Sequence, residues 1–177
     1  LETQPFELVY RQSVSIKNKG YPMKALSGIT VLDLSTIVSG PFCTQMLSDM
    51  GADVIKVEPI SGDPTRSWGP PFICEESPYF ISVNRGKKSV ALDIGSDEGL
   101  KLLYKLVRKS DVLVENFKPD RKKKYGLDYD NIKNLNTKII HLSITGFGQE
   151  TNPIYDKPAL DLTMQALTGI MSITGPK

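Results

Sequence analysis

The sequence predicts an α/β fold, with a mostly parallel, Rossmann-like sheet and helices on both faces. Two observations predict it. Short apolar segments alternate with helix-patterned segments along the chain, and one apolar segment, Val112–Val114, shows no polar alternation, as in a strand buried on both faces. With 177 residues, 40% of them hydrophobic, the chain is long enough for one such domain with its own core.

The first strand–helix–strand unit lies between residues 31 and 57. An apolar strand at Val31–Leu34 leads through a turn and a short helix into a second strand at Ala52–Val57. Ser39 is suited to cap the helix and Pro41 to its first turn, while Gly40 lets another molecule approach the backbone. Because helix starts attract anions, this segment is either a ligand-binding turn or an ordinary crossover.

The remaining elements continue the alternation. Asp97–Lys109 is predicted as a helix by its single apolar stripe and its acidic start, and Leu160–Ile173 as a helix after a glycine-rich loop. Tyr79–Val83 fits either a short strand or a helix. The other predicted elements are three strands and a short helix, namely Ser89–Asp93, Val112–Val114, Ile139–Thr145 and Tyr129–Leu135.

Several candidate ligand-binding residues follow directly after predicted strands. Residues 38–41 follow the first strand, Asn116 and Phe117 follow Val112–Val114, and the TGFG loop at 145–148 follows Ile139–Thr145. Taken singly, Asn116 is typical of a turn and Phe117 of a core. Because ligands of parallel sheets bind at the carboxyl ends of the strands, their common placement favours one shared ligand.

Composition and motifs argue against several classes of function. The net charge of +2 is too small to indicate a nucleic-acid partner, and the basic run Arg121–Lys124 is typical of a solvated face. Cys43, Cys74 and the single histidine, His141, form no disulfide framework or metal site, and His141 lies in an apolar strand context that indicates a structural role. No apolar run approaches the roughly 18 residues of a membrane span. The GxGxxG, Walker and GxSxG motifs are absent.

Residues 1–22 differ from the rest of the chain and are predicted as a leader, either a targeting peptide or a disordered N-terminus. Arg11, Lys17 and Lys19 favour targeting, whereas Glu2 and Glu7 oppose it. The domain is predicted to occupy residues 23–177.

The stretch LSGITVLDLSTIVSGPFCTQMLSDMGADVIKVEP resembles the opening of the class III, or CaiB/BaiF-type, CoA-transferases. The similarity continues in the family's order through GDPTRSWGPPF, SPYFISVNRGKKSVALDI, DVLVENFKP, KYGLDYDNIKNLN, IIHLSITGFG and ALDLTMQALTGIMSITG. It covers residues 23–177 and is strongest for the branch that acts on succinyl-CoA and glutarate. The resemblance implies the N-terminal part of the family's large domain, an incomplete unit.

The resemblance implies CoA transfer from an acyl-CoA such as succinyl-CoA to a carboxylic acid, in this branch a dicarboxylic acid. In the family, an aspartate carboxylate forms an acyl anhydride and then an aspartyl-CoA thioester, with no tightly bound cofactor. Members form interlocked homodimers, and animal members of this branch are mitochondrial; the cytoplasm is the alternative location. The alternative functions are a truncated, non-catalytic module that binds CoA or pairs with a subunit, and a 2-methylacyl-CoA racemase.

The resemblance also implies the site residues. By the family's spacing the nucleophilic aspartate falls beyond Lys177, and Asp161 matches an acidic position beside the thioester, where we expect a supporting role. The alternative role of Asp161 is that of a carboxylate that stabilises the start of a helix. Racemases carry a histidine where Leu160 stands. The implied CoA contacts are Val38 and Ser39 at the thioester end, Leu92, Asn116, Phe117 and Lys124 along the nucleotide, and Lys87 and Lys88 at phosphates.

Overall fold

The computed structural model describes residues 24–148, 154 and 156–175, so the predicted leader lies outside the described residues. The described residues form five strands: β1 Thr30–Asp33, β2 Asp53–Glu58, β3 Lys88–Ala91, β4 Val112–Glu115 and β5 Ile140–Ser143. They also form seven α-helices: α1 Ser39–Asp49, α2 Pro78–Asn84, α3 Asp97–Arg108, α4 Pro119–Lys124, α5 Tyr129–Leu135, α6 Asp161–Leu167 and α7 Ile170–Thr174. A short 3₁₀ helix spans Pro64–Ser67.

All the described strands are parallel, in the order β3-β2-β1-β4-β5. In the centre, Leu32 of β1 lies beside Ile55 of β2 on one side and Leu113 of β4 on the other. The strand order changes direction between β1 and β4, which is the switch point at which such sheets bind ligands. The predicted parallel α/β fold is confirmed, and every predicted strand is present with ends shifted by at most two residues.

The core lies on both faces of the sheet, because successive strand residues point to opposite sides. On one face, α3 and α5 pack over a buried cluster that includes Leu32, Leu34, Val57, Leu103, Val107, Leu113 and Ile132. On the other face, Leu47 of α1 packs against Val31, Val54 and Val114. Burial on both faces explains why β4 shows no polar alternation in the sequence.

Side-chain caps explain where several helices begin. Ser77 precedes Pro78 and accepts a hydrogen bond from the Tyr79 N–H at 3.1 Å, so the ambiguous segment forms the helix α2 and not a strand. Ser96 caps α3 by accepting from the Gly99 N–H at 3.1 Å, as its sequence predicts.

Two expectations about helices are wrong, and one helix is additional. Ser39 does not cap α1: the N-cap position is Val38, no side chain caps it, and Ser39 is already helical. Leu160–Ile173 is not one helix, because Gly169 adopts a left-handed conformation with φ 78° and separates α6 from α7. The short helix α4 begins at Pro119 and was not predicted.

Candidate functional site

A cleft of about 660 Å³ opens at the carboxyl ends of the strands. Its walls come from four neighbouring strand ends, represented by Leu34, Val57, Leu92 and Phe117. Two of the predicted contact residues, Leu92 and Phe117, are therefore brought together here although they lie 25 residues apart in the chain. The mainly apolar lining suits a flat ring or an alkyl chain better than a small ion.

One wall of the cleft is built from aromatic and cationic side chains on α4 and its flanks. The rings of Phe117 and Tyr125 lie 6.5 Å apart at 62°, in an edge-to-face arrangement. The Arg121 guanidinium carbon lies 4.9 Å from the Phe117 centroid and 5.7 Å from that of Tyr125. Lys124, a predicted contact, places its Nζ 5.5 Å from the Tyr125 centroid and does not line the cleft.

Asn116 joins the turn after β4 to the turn after β1. Its Oδ1 accepts from the Thr36 N–H at 3.0 Å, and its Nδ2 donates to the Thr36 carbonyl at 2.9 Å. Two residues beyond Thr36, Val38 and Ser39 are exposed at the start of α1. The predicted CoA contacts of Val38, Ser39 and Asn116 remain predictions, and Asn116 positions the turn that carries the other two.

Gly40 is buried, and the close approach that it permits is to its own chain. A Cβ at this position would lie 2.2 Å from both Cβ and Oγ of Ser35. The expectation that Gly40 opens the backbone to another molecule is therefore wrong, because Ser35 already occupies the space above it.

Lys87 belongs to a buried network beneath the start of α1. Its Nζ donates to Asp33 Oδ2 at 3.0 Å, to the Pro41 carbonyl at 2.8 Å and to Asn84 Oδ1 at 2.8 Å. Burial lowers the pKa of Lys87, and the opposing charge of Asp33 only partly offsets this effect. For Asp33, burial favours a raised pKa, but the charges of Lys87 and Lys56 and hydrogen bonds outweigh it and the pKa is lowered.

Lys88 lies toward the opposite edge of the sheet. Its Nζ donates at 2.7 Å to Asp53, the first residue of β2, so the pair lies toward the amino ends of the strands. The structure thus brings neither Lys87 nor Lys88 into the cleft, and their phosphate contacts remain predictions.

A second buried network supports the cleft from below. Lys56 Nζ donates to the Ser35 carbonyl and contacts Asp63 Oδ2, both at 2.8 Å. Arg66 donates to both oxygens of Glu58 at 2.7 Å. Burial alone would raise the pKa of Glu58, but hydrogen bonds from Arg66, Ser89 and the Asp63 N–H outweigh it and lower that pKa to about 2. Glu58 lines the cleft as a fully paired anion.

The Asn116-Phe117 turn is also held from within the sheet. Glu115 Oε2 accepts from the Phe117 N–H at 2.9 Å, and Glu115 Oε1 lies 3.5 Å from His141 Nε2 and 3.6 Å from Lys122 Nζ. His141 also stacks on Tyr129, with centroids 6.4 Å apart. His141 is therefore a buried supporting residue, in agreement with the structural role predicted for it.

Asp161 is the first residue of α6 and is exposed. Ala159, two residues before Asp161, lies close to the loop after β5, because a Cβ on Gly146 would lie only 1.9 Å from Ala159 Cβ. Burial raises the pKa of Tyr79, and the nearby charge of Asp161 adds to this effect. Asp161 accepts from Gln165 Nε2 at 2.6 Å and does not line the cleft, so its supporting role remains a prediction.

Three structural findings bear on ligand and partner classes. Cys43 and Cys74 are free thiols. No group of three or more His, Cys, Asp or Glu side chains among the described residues could hold a metal ion. In the part of the chain that the structure describes, no helix is both long and apolar enough to cross a membrane.

Comparison with known families identifies the fold and its relatives. The family model described as CoA-transferase family III matches residues 26–177. The chain belongs to CoA-transferase family III. The family resemblance in the sequence is thereby confirmed.

Individual family III proteins are similar over most of this chain. The succinate–glutarate CoA-transferase of Agrobacterium fabrum is 50% identical over 157 residues, which is 85% of this chain and 39% of that protein. The succinyl-CoA:glutarate CoA-transferase of Mus musculus is 47% identical over 156 residues, covering 88% and 36%. The crystal structure of a CaiB/BaiF family protein from Brucella suis superimposes with a TM-score of 0.83 at 44% identity, covering 87% and 42%. The chain spans about two fifths of the length of these relatives.

Sequence reasoning missed Arg121 and Tyr125 as parts of the cleft. The signal was present, since Phe117, Arg121 and Tyr125 follow one another at intervals of four residues. Arg121 lies in α4 while Phe117 and Tyr125 flank that helix, and an aromatic–arginine–aromatic series at this spacing indicates a stacked cation.

Proposed function

We propose that the protein containing this chain transfers CoA from succinyl-CoA to a dicarboxylic acid, and that this segment binds the nucleotide end of CoA. The observation that carries the proposal is the apolar cleft at the carboxyl ends of the strands, with an aromatic and cationic wall, in a family III chain. The names of the Agrobacterium and mouse relatives support succinyl-CoA and glutarate as the substrate pair.

In this proposal the adenine ring packs between Leu92 and Phe117, and the phosphates of CoA extend toward Lys124 at the end of α4. The pantetheine arm leaves the cleft past Thr36 and reaches Val38 and Ser39 at the start of α1. The Asn116–Thr36 contact supports this path, because it holds the nucleotide end and the α1 end of the site in one rigid unit. A preorganised site of this kind loses less entropy on binding.

The proposed chemistry is nucleophilic catalysis by an aspartate that lies outside these 177 residues. Its carboxylate attacks the thioester carbonyl of succinyl-CoA, the C–S bond breaks and CoA leaves as the thiolate. The thiolate then attacks the aspartyl carbonyl of the anhydride and releases succinate. The acceptor carboxylate displaces the thiolate to form a second anhydride, and thiolate attack on its acceptor carbonyl yields the new acyl-CoA and free aspartate. Asp161 would act beside the thioester without becoming acylated.

We further propose that the whole protein is an interlocked homodimer that acts in mitochondria. The dimer proposal is supported by large apolar side chains that α6 and α7 leave exposed, among them Leu162 at 70% and Ile173 at 82%. Side chains of this size are usually covered in a finished assembly. Sedimentation of the protein at several concentrations tests the dimer, and imaging of a fluorescently tagged protein tests its location.

The activity is tested by incubating the protein with succinyl-CoA and glutarate and following glutaryl-CoA by mass spectrometry. Hydroxylamine added during turnover converts an aspartyl thioester or anhydride into a hydroxamate whose position mass spectrometry identifies. For the 177-residue chain we expect CoA binding without transfer, and for a longer product containing it, transfer. Trapping at Asp161 would overturn the assigned roles. If every naturally occurring protein that contains this chain bound CoA without transferring it, the non-catalytic module would be favoured. Absence of CoA binding would refute the proposal.

A further inference from the structure

The Arg121 side chain is exposed and lies on the wall of the cleft, beside two aromatic rings. Its guanidinium lies over the Phe117 ring at 4.9 Å and near the Tyr125 ring at 5.7 Å, and its side chain lines the cleft. An arginine stacked on aromatic rings presents the edge of its planar guanidinium, with the N–H donors, away from the ring faces.

No carboxylate among the described residues forms an ion pair with the Arg121 guanidinium. Among the described residues that line the cleft, Arg121 is the one cationic side chain. The two lining carboxylates are engaged elsewhere: Glu58 is paired with Arg66 at 2.7 Å, and Asp93 accepts from the Gly95 N–H at 2.9 Å. The neighbouring Lys122, in contrast, lies 3.6 Å from the buried Glu115.

We propose that Arg121 is a specificity-determining residue that binds a phosphate group on the nucleotide end of CoA. This inference rests on the proposed function. The guanidinium donates two parallel N–H bonds to phosphate oxygens while its flat face stays on Phe117. Arginine suits this task because its planar donors match phosphate oxygens and stacking orients them before the ligand arrives. The role differs from that of Lys124, which lies outside the cleft lining and offers a point charge.

The test uses calorimetric titration of the 177-residue chain with CoA, dephospho-CoA and adenosine. Arg121→Gln removes the charge but keeps an amide of moderate size, and Arg121→Lys keeps the charge but loses the planar fork. Lys123→Gln is the matched control, since Lys123 is exposed on the same helix and carries the same charge. We expect Arg121→Gln to weaken CoA binding about 10- to 100-fold, Arg121→Lys to weaken it less, and Lys123→Gln to change it less than about twofold.

The three ligands separate the outcomes. Weaker binding of CoA by Arg121→Gln, with adenosine unaffected, supports the phosphate contact. If Arg121→Gln leaves the binding of dephospho-CoA unchanged, the contact is to the 3′-phosphate. If Arg121→Gln weakens the binding of dephospho-CoA as much as that of CoA, the contact is to the diphosphate. An equal loss for adenosine would overturn the inference in favour of simple stacking. Unchanged CoA affinity of Arg121→Gln would overturn the inference alone, whereas a wild-type chain that fails to bind CoA would overturn the proposed function as well.

Discussion

The side-chain amide of Asn116 bonds the backbone of Thr36 in both directions, accepting from its N–H at 3.0 Å and donating to its carbonyl at 2.9 Å. This contact bridges 80 residues of sequence and joins the turns that follow β4 and β1. Both turns border the switch point of the sheet, so one amide sets the relative position of Phe117 and the start of α1.

Replacing Asn116 should therefore loosen the two turns that border the switch point. We expect Asn116→Ala to reduce the free energy of unfolding by about 1–3 kcal/mol, because the Thr36 N–H and carbonyl lose their partners. Asn116→Asp should be at least as destabilising, since a carboxylate would accept from the N–H but face the carbonyl without a proton. Urea denaturation measures stability, and hydrogen exchange at the Thr36 amide locates the effect.

Asn134→Ala is the matched control, because Asn134 is exposed on α5. It should leave both stability and exchange at Thr36 nearly unchanged. Equal protection of the Thr36 amide in Asn116→Ala and in the wild type would show that the contact does not hold the turn.

We expect Lys87 to contribute mainly to the stability of the folded chain. Lys87→Met removes the cation from the fully buried Asp33 and should cost about 3–5 kcal/mol, the usual effect of breaking a buried pair from one side. The double variant Asp33→Asn/Lys87→Met should be more stable than Lys87→Met alone, because no buried charge then lacks a partner. Urea denaturation of the three proteins measures both effects.

Lys88→Met is the contrasting variant, since its pair with Asp53 is exposed. Exposed pairs contribute about 0.2–1 kcal/mol, so the loss should be small. If Lys87→Met were as stable as Lys88→Met while CoA binding fell, the phosphate role of Lys87 would be favoured over the structural one.

Gly40 offers a test with a designed rescue. Gly40→Ala places a methyl group 2.2 Å from Cβ and Oγ of Ser35, so α1 must move away from β1, at a cost of about 1–3 kcal/mol or more. Ser35→Gly removes both obstructing atoms. The double variant Gly40→Ala/Ser35→Gly should therefore be more stable than the sum of the two single effects, as measured by thermal unfolding. Simple additivity would contradict the proposed clash.

Because Glu58 is paired, the free energy of unfolding should depend on pH in the acidic range. Its pKa of about 2 lies below the ordinary 4.5, so its stabilisation is complete above about pH 4.5 and is lost as the pH falls toward 2. The shift corresponds to stabilisation on the order of 3 kcal/mol. Between pH 4.5 and 2, stability should fall less steeply in Glu58→Gln than in the wild type, although Glu58→Gln should be less stable at pH 7.

Urea denaturation at a series of pH values measures this difference. Glu98→Gln is the control, because Glu98 is exposed in the first turn of α3. Its pH profile should run parallel to that of the wild type. A Glu58→Gln profile parallel to the wild type would show that other carboxylates carry the acid sensitivity.

Sequence patterns predicted the parts of the structure that are determined by residues close together in the chain. Val112–Val114 reads as a buried strand and is one, because burial on both faces removes polar residues from the strand itself. Partners that come from distant parts of the chain could not be predicted. Nothing in the sequence around Lys87 indicates its partner Asp33, which lies 54 residues earlier and holds the Lys87 amino group in a buried network.

The basic run at 121–124 shows the same limit at the site. The sequence assigns these side chains to one solvated face, but the short helix α4 separates them. Arg121 turns toward the Phe117 ring, Lys122 toward buried Glu115, and Lys123 and Lys124 toward solvent. Helical direction decides which charge enters the cleft, and the helix itself was not predicted because it is only six residues long.

The burial of Lys56 and Lys87 affects the chemical reactivity of the protein. Activated esters and thioesters acylate lysine when an accessible amine attacks the ester carbonyl. Both side chains are only 2% exposed, and their amino groups are enclosed by carbonyls and carboxylates, so no reagent reaches them in the folded chain. Acylation at these two lysines would report opening of this edge of the sheet, whereas Lys123 and Lys124 would be acylated in the intact fold.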